Sequence, residues 1–172
     1  MIKPDARFDK ATDISSEFLK QKGIKALILD VDNTLIDLNK KEIANITSWI
    51  MGLKKDGIKL CICSNSLKKK IITNLAKKWD IPFIYFSLKP TKIGLKKAVK
   101  TIKEMYGIDK MAEIAEVGDQ LFTDCLGANR MGMFSILTKP FELETGVVSK
   151  FKRKQEKKYL DKMYKGEENV RK

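Results

Sequence analysis

The 172-residue chain contains no histidine, and this absence narrows the chemistry that the protein can perform. Catalytic triads and dyads built on histidine are excluded, so any general acid or base must be a carboxylate, a lysine, a tyrosine or a cysteine. Apolar runs of about 20 residues, the length of a membrane-spanning helix, are also lacking. Charges interrupt the first ten residues, MIKPDARFDK, so we expect no signal peptide and a cytoplasmic protein.

Cysteine is scarce, with three residues in the chain. An odd number, with Cys61 and Cys63 two positions apart, does not form a disulfide framework and fits a reducing compartment. A zinc site would need further ligands, and the sequence has neither a second cysteine pair nor a histidine. We therefore predict that all three cysteines, Cys125 included, are buried as small apolar residues.

Acidic residues are outnumbered by basic ones, because 22 Asp and Glu stand against 35 Lys and Arg, a net charge of +13. Such a charge attracts anions, so we expect an anionic substrate or partner. Residues 150–172 hold ten Lys or Arg and four Asp or Glu. We predict one domain over residues 1–149, with a lead-in segment at 1–24. A basic tail at 150–172 follows it, either solvated or in peripheral contact with an anionic membrane.

Apolar patterning predicts that strands and helices alternate from Lys25 onward. The continuous run KALILDV indicates a strand buried on both faces, and IKLCICS, PFIYF, AEIAEVGD and MFSILT indicate four more. Apolar residues three and four positions apart predict intervening helices at 40–55, 67–79, 91–106 and 121–131, with a short helix before them at 13–22. We therefore predict a doubly wound, three-layer α/β domain with a parallel sheet of about five strands.

Eight polar or charged residues follow the predicted strands, where ligands bind in such sheets. They are Asp30, Asp32 and Thr34 after the first strand, Ser64 and Asn65 after the second, Lys89 after the third, and Asp119 and Asp124 after the fourth. Three of the carboxylates, on Asp30, Asp32 and Asp119, would crowd negative charge that Mg²⁺ can neutralise. Ser64, the backbone of Asn65 and Lys89 would supply donors to a bound phosphate. One aspartate can attack phosphorus while another transfers the proton.

Four motifs at these strand ends resemble those of the haloacid dehalogenase-like (HAD) superfamily. DVDNT at 30–34 resembles motif one, CSNS resembles motif two, Lys89 followed by proline resembles motif three of the class III phosphatases, and VGDQLFTD resembles motif four. The resemblance implies a phosphatase in which Asp30 is the nucleophile and a Mg²⁺ ligand. It also implies that Asp32 is the acid/base and binds the metal through its backbone carbonyl.

The same resemblance implies roles for the remaining residues. Thr34 would support the acid/base loop, Asp119 would complete the magnesium site, and Asp124 would orient water around the metal rather than bind it. Ser64 and Lys89 would hold the phosphate, with Lys92 as the rival lysine. The short intervals between the motifs resemble those of members without a cap domain, which implies an open site that accepts a phosphate on a large body.

The flanking segments FDKATDISSEFLKQKGIKALILDVDNTLI and NRMGMFSILTKP resemble the small phosphatidylglycerophosphate phosphatases of HAD class III. This implies that the substrate is a lipid head group and the products are phosphatidylglycerol and inorganic phosphate. A phosphatase for soluble or macromolecular phosphomonoesters is the first alternative. A non-catalytic nucleic-acid binder is the second, and we do not expect nucleic acid because the basic residues do not interleave with aromatic residues in a recognisable module.

Overall fold

The computed structural model describes residues 2–142 and 145–168 of the chain. It divides into two compact units, Met1–Phe141 and Glu142–Lys172. Residues 169–172 of the predicted tail lie outside the described residues. None of the described helices combines the length and the apolar composition that crossing a bilayer requires.

The first unit alternates strands with helices along the chain. Its strands are β1 (Ala6–Phe8), β2 (Ala26–Leu29), β3 (Lys59–Cys63), β4 (Phe83–Ile84), β5 (Ile114–Gly118) and β6 (Phe134–Thr138). Its α-helices are α1 (Ser16–Gln21), α2 (Ile46–Lys55), α3 (Lys69–Trp79), α4 (Lys92–Tyr106) and α5 (Leu126–Met131). This order confirms the predicted α/β class.

All strand pairs are parallel, and the six strands lie in the order β1-β6-β5-β2-β3-β4. The prediction of about five strands is wrong by one, because the segment taken as a lead-in contains β1. Its Ala6 pairs with Ile136 of β6 at the edge of the sheet. From β2 the chain moves outward through β3 to β4, then returns to β5 on the other side of β2 and moves outward to β6. The topological switch point, where such sheets bind ligands, therefore lies between β2 and β5.

Two apolar layers cover the two faces of the sheet. Strand β2 shows the reason, because Leu27 and Leu29 belong to one buried cluster while Ala26 and Ile28 belong to the other. Helices α2 and α3 contribute to the first cluster and α4 to the second. Burial on both faces accounts for the continuous apolar run that predicted the strand.

The three cysteines are free and buried, as predicted. Cys61 and Cys63 lie on β3, in the second apolar cluster, and Cys125 lies in the turn before α5. Burial raises the pKa of the Cys61 thiol above its ordinary value, which opposes thiolate formation. These side chains therefore act as packing groups.

Several predicted boundaries were wrong because the chain bends where the apolar spacing continues. The helix predicted from Lys40 begins at Ile46, since Lys40 and Asn45 have positive φ angles of 66° and 67°. The helix predicted from Leu67 begins at Lys69, and the third strand shrinks to Phe83–Ile84. The first helix starts after Ser15, whose hydroxyl caps it by accepting the Phe18 N–H at 3.1 Å.

The second unit contains one helix in its described part, α6 (Val147–Glu168). Within it, Arg153 Nη1 lies 3.2 Å from Glu156 Oε2 at i,i+3 spacing. Val147, Val148 and Phe151 are exposed large apolar residues. The segment predicted as a basic tail is therefore helical over its described length.

Candidate active site

The residues predicted from the strand ends meet at the carboxyl edge of the sheet. Asp30 follows β2 directly, Ser64 follows β3 and Asp119 follows β5, and all three are buried. A cleft of about 180 Å³ opens at this edge. Of the predicted residues, its lining includes Asp30, Asp32, Ser64, Asn65 and Asp124. The ends of β2 and β3 and the chain after β5 thus line one cleft.

Lys89 lies at the centre of a buried charge cluster. Its Nζ is 3.0 Å from Asp30 Oδ1, 2.7 Å from Asp124 Oδ1 and 3.2 Å from Glu116 Oε1. Its side chain is 1% exposed. The Lys89 ammonium therefore forms ion pairs with three carboxylates in a region that is almost inaccessible to water.

The pKa values of the buried groups in the cluster are raised. Burial raises the pKa of Asp30 to about 7, against the attraction of Lys89. Burial likewise raises the pKa of Glu116 to about 8. Burial alone would lower the pKa of Lys89, but the neighbouring carboxylates outweigh it and raise that pKa well above 10.5. Lys89 therefore stays charged while the carboxylates compete for it, and further positive charge at the site would be stabilising.

Three of the buried carboxylates are close enough to share a metal ion. Asp30, Asp119 and Asp124 each offer an oxygen, and these oxygens lie within 4.8 Å of one another. Oxygen donors with net negative charge suit a hard divalent cation such as Mg²⁺. The donor set therefore fits the predicted metal, and it includes Asp124, which was expected to orient water rather than bind the metal.

Asp32 is the most exposed of the predicted catalytic residues. Its Oδ1 accepts a hydrogen bond from Lys40 Nζ at 2.7 Å, and its side chain is 39% exposed. The backbone after it turns sharply, because the N–H groups of Thr34 and Leu35 donate to the carbonyl of Val31. Thr34 is buried within this turn. The geometry places Asp32 at the solvent side of the cleft.

Asn65 holds the loop that carries Lys89. Its Oδ1 accepts the Lys89 N–H at 2.7 Å and the Ser87 hydroxyl at 2.8 Å, and its Nδ2 donates to the Lys89 carbonyl at 3.0 Å. The Asn65 side chain is thus committed to positioning Lys89. Ser64 Oγ accepts the Ser66 N–H at 3.1 Å, which closes the turn after β3.

Comparison with known proteins identifies the family. A family model described as mitochondrial PGP phosphatase matches residues 1–142. The chain belongs to this family. Its members are phosphatases of the HAD superfamily, and the chain is a HAD phosphatase, as the motifs predicted. A protein of Bacillus subtilis (strain 168) named "Probable phosphatase YqeG" is 32% identical over 158 residues, which cover 91% of this chain and 88% of that protein.

Solved structures of two other proteins share the fold. A haloacid dehalogenase-like hydrolase from Brucella suis 1330 has a TM-score of 0.52 at 10% identity, over 74% of this chain and 92% of that one. An uncharacterized protein from Listeria monocytogenes serotype 4b has a TM-score of 0.55 at 19% identity, over 66% and 78%. These likenesses support the HAD fold.

Glu116 was not predicted from the sequence as a residue of the site. It lies on β5 and is 1% exposed, with Oε1 facing Lys89. A signal was present, since an acid stands among apolar residues of a strand that ends at the predicted site. Gly118, two positions on, is also required there, because a Cβ at this position would lie 2.3 Å from the Asp124 carboxylate.

The structure separates the two candidate lysines. Lys89 is buried and lies against Asp30, while Lys92 is exposed at the start of α4. A lysine that is held within the carboxylate cluster can balance charge at phosphorus during the reaction. This geometry supports Lys89 over Lys92 for the phosphate-binding role, which stays a prediction.

Proposed function

We propose that this HAD phosphatase hydrolyses a lipid phosphomonoester, phosphatidylglycerophosphate, through an aspartyl-phosphate on Asp30 with Mg²⁺ as cofactor. The observation that carries the chemistry is the contact of Asp30 with Lys89 at 3.0 Å, together with carboxylate oxygens of Asp119 and Asp124 within 4.8 Å of an Asp30 oxygen. The family match supports the substrate, and the open cleft suits a phosphate that projects from a large body.

The proposed reaction has two displacements at phosphorus. In the first, an Asp30 carboxylate oxygen attacks, the bond from phosphorus to the ester oxygen breaks, and Asp32 donates its proton to the departing alcohol. In the second, Asp32 takes a proton from water as that water attacks phosphorus, and the bond from phosphorus to Asp30 breaks. Inorganic phosphate leaves, and both aspartates return to their starting states.

The other residues hold the phosphate and balance its charge. Asp30, Asp119 and the Asp32 carbonyl, with Asp124 beside them, would hold Mg²⁺, which would supply positive charge to the acidic cluster and the phosphate oxygens. Ser64 and the backbone after β3 donate hydrogen bonds to the phosphate. Lys89 keeps positive charge beside the nucleophile, and Asn65 fixes its backbone.

A peripheral membrane contact on the cytoplasmic side extends this proposal to the second unit. The segment 150–172 has a net charge of +6 from its ten basic and four acidic residues. Each basic residue near an anionic surface contributes about 1 kcal/mol at most, so the segment can add weak attachment. Exposed Val147, Val148 and Phe151 offer further apolar contact.

A substrate panel tests the proposed function. Purified protein with Mg²⁺ is assayed for phosphate release from phosphatidylglycerophosphate in detergent micelles, glycerol phosphate, a nucleotide monophosphate and an aryl phosphate. We expect the highest kcat/KM with the lipid, a loss of activity in chelator, and none in Asp30→Asn. Asp9→Asn is the matched control, because this exposed aspartate pairs with Lys139 at 2.6 Å and has no part in the mechanism.

Two results would count against the proposal. Phosphate release that is unchanged in Asp30→Asn, or absent for every substrate, would contradict the mechanism. A preference for glycerol phosphate or the nucleotide would leave the mechanism intact and would instead select a soluble phosphomonoester as substrate.

A further inference from the structure

Four large apolar side chains are exposed on two loops beside the cleft. Leu67, on the loop after β3, is 73% exposed, and Tyr85, Phe86 and Leu88, on the loop after β4, are 40–50% exposed. We call these four residues the apolar rim. Clustered apolar side chains at a functional edge of a protein mark a contact surface more often than isolated ones do.

The rim is continuous with the site. The Phe86 N–H donates to the Ser66 carbonyl at 3.2 Å, and the Ser87 N–H donates to the Ser64 carbonyl at 3.0 Å. Ser64 and Ser66 line the cleft. A partner that binds to the rim therefore lies next to the opening of the cleft.

Two rim residues have a strained backbone. Phe86 and Leu88 have φ angles of 48° and 58°, in the left-handed region that disfavours bulky side chains. Between them, Ser87 is buried and bonded to Asn65, while both neighbours are exposed. Glycine or asparagine would adopt this backbone more easily, so the strain at these two exposed apolar residues marks the loop as a candidate functional element.

Exposed lysines flank the rim residues in the sequence, and one of them contacts the rim. Lys68, Lys69, Lys70 and Lys92 are exposed, and Lys69 Nζ lies 5.1 Å from the centroid of the Tyr85 ring. Residues 64–103 contain eleven lysines and a single acid, Asp80, which follows the last turn of α3 at the far end of that helix. The surface therefore combines exposed apolar side chains with a net positive charge.

We propose that the apolar rim and its lysines form the surface through which the first unit sits on an anionic lipid bilayer. The rim side chains would enter the boundary between head groups and acyl chains, and the lysines would lie at the level of the lipid phosphates. The cleft would then face the head-group plane. This inference rests on the proposed lipid substrate and assigns the surface that presents it.

Charge complementarity favours a bilayer over a second copy of the chain. A two-fold contact through the rim would place the lysines of residues 68–70 close to the same lysines of the partner, which repel one another. An anionic bilayer satisfies both the positive charge and the apolar groups. Nucleic acid would satisfy the charge but offers little to the aliphatic side chains of Leu67 and Leu88.

Vesicle co-sedimentation of the full chain tests the proposal. The vesicles are phosphatidylcholine with phosphatidylglycerol as the anionic lipid, and phosphatidylcholine alone for comparison. Leu67→Gln/Phe86→Asn should weaken binding to anionic vesicles by about tenfold for each side chain removed. Neutralising Lys68, Lys69 and Lys70 to glutamine should weaken it by about fivefold for each charge, an effect that high salt abolishes.

The matched control replaces two exposed methionines away from the rim. Met51 lies on α2 and Met105 at the end of α4, and both are about as exposed as Phe86. Met51→Gln/Met105→Gln should bind vesicles as the wild type does. The rim variants should also retain full activity on a soluble aryl phosphate, because the rim takes no part in the chemistry.

Several results would overturn the inference. Wild-type protein that ignores anionic vesicles, or rim variants that bind as the wild type does, would place the contact elsewhere or remove it. Dimerisation that the rim variants abolish, seen by analytical ultracentrifugation, would assign the rim to self-association. Failure of the proposed lipid substrate is distinguishable, since vesicle binding is measured without turnover.

Discussion

Replacement of Lys89 by methionine tests the buried charge cluster. The Lys89 ammonium lies within 3.2 Å of oxygens of Asp30, Asp124 and Glu116. Methionine keeps much of the aliphatic stem and removes the charge, so three buried carboxylates lose their shared counter-ion. Removing one partner of a buried ion pair costs about 3–5 kcal/mol. We expect Lys89→Met to lower the free energy of unfolding by this amount at pH 9 without divalent metal, because Asp30 and Glu116, with pKa values of about 7 and about 8, are then ionised.

The same geometry predicts that the loss is coupled to Glu116. At pH 9, above the Glu116 pKa of about 8, Lys89→Met/Glu116→Gln replaces one of the stranded carboxylates by a neutral amide, so part of the lost stability should return. A double-mutant cycle should give an interaction free energy of about 0.5–3 kcal/mol. Lower pH should act in the same direction, because the stranded carboxylates then bind protons in the folded state.

Urea unfolding in chelator, followed by tryptophan fluorescence, measures these losses. Lys92→Met is the matched control, since Lys92 is exposed and its replacement should change the free energy of unfolding by no more than about 0.5 kcal/mol. Lys89→Met should also abolish phosphatase activity, and Lys92→Met should preserve it. The reasoning is refuted if Lys89→Met is as stable as the wild type, or if both variants lose equal stability.

Glu116, Asp32 and Asn65 each give a further measurable prediction. The pKa of Glu116 is 4.5 in the unfolded chain and about 8 in the folded protein. Between these pH values the folded state therefore binds a proton that the unfolded state has lost. The unfolding free energy of the metal-free protein should fall as the pH rises through this range. Glu116→Gln should flatten this slope in urea titrations at pH 5 and pH 8, and an unchanged slope would assign it to other groups. Asp32→Asn should lower kcat on an alkyl phosphate about 10²- to 10⁴-fold. The loss on an aryl phosphate should be smaller, because that leaving group needs little protonation. Equal losses on the two substrates would contradict a general-acid role for Asp32. Asn65 and Asn74 are both exposed, but Asn65 makes three partly buried hydrogen bonds, so Asn65→Ala should cost about 1–3 kcal/mol of unfolding free energy while Asn74→Ala should be neutral. Equal stability of the two variants would show that the Asn65 contacts are weak.

The fold was predictable where burial leaves a strong pattern. Strand β2 is buried on both faces, so its continuous apolar run predicts a central parallel strand. Strand β1 is three residues at the sheet edge, and its sequence ARF carries no such pattern. The segment 40–45 keeps apolar spacing with Ile43, but left-handed backbone at Lys40 and Asn45 prevents a helix, and spacing alone does not reveal φ.

The site was predictable as far as strand ends determine it. Asp30, Ser64 and Asp119 follow strands and so had to meet at one edge. The partner of each side chain was not predictable, because contacts such as Lys89 with Glu116 join segments far apart in the chain. The pairing of Asp32 with Lys40 likewise depends on a loop that the pattern misread as helix.

Trapping of the phosphorylated enzyme tests the central claim most directly. Protein is mixed with a phosphate-labelled aryl phosphate and Mg²⁺, quenched in acid during turnover, digested, and analysed by mass spectrometry. We predict an acid-stable, base-labile phosphoryl group on the peptide that contains Asp30, located at Asp30 itself and absent from Asp30→Asn. Undiminished turnover in Asp30→Asn, or a label on a different residue, would contradict the account.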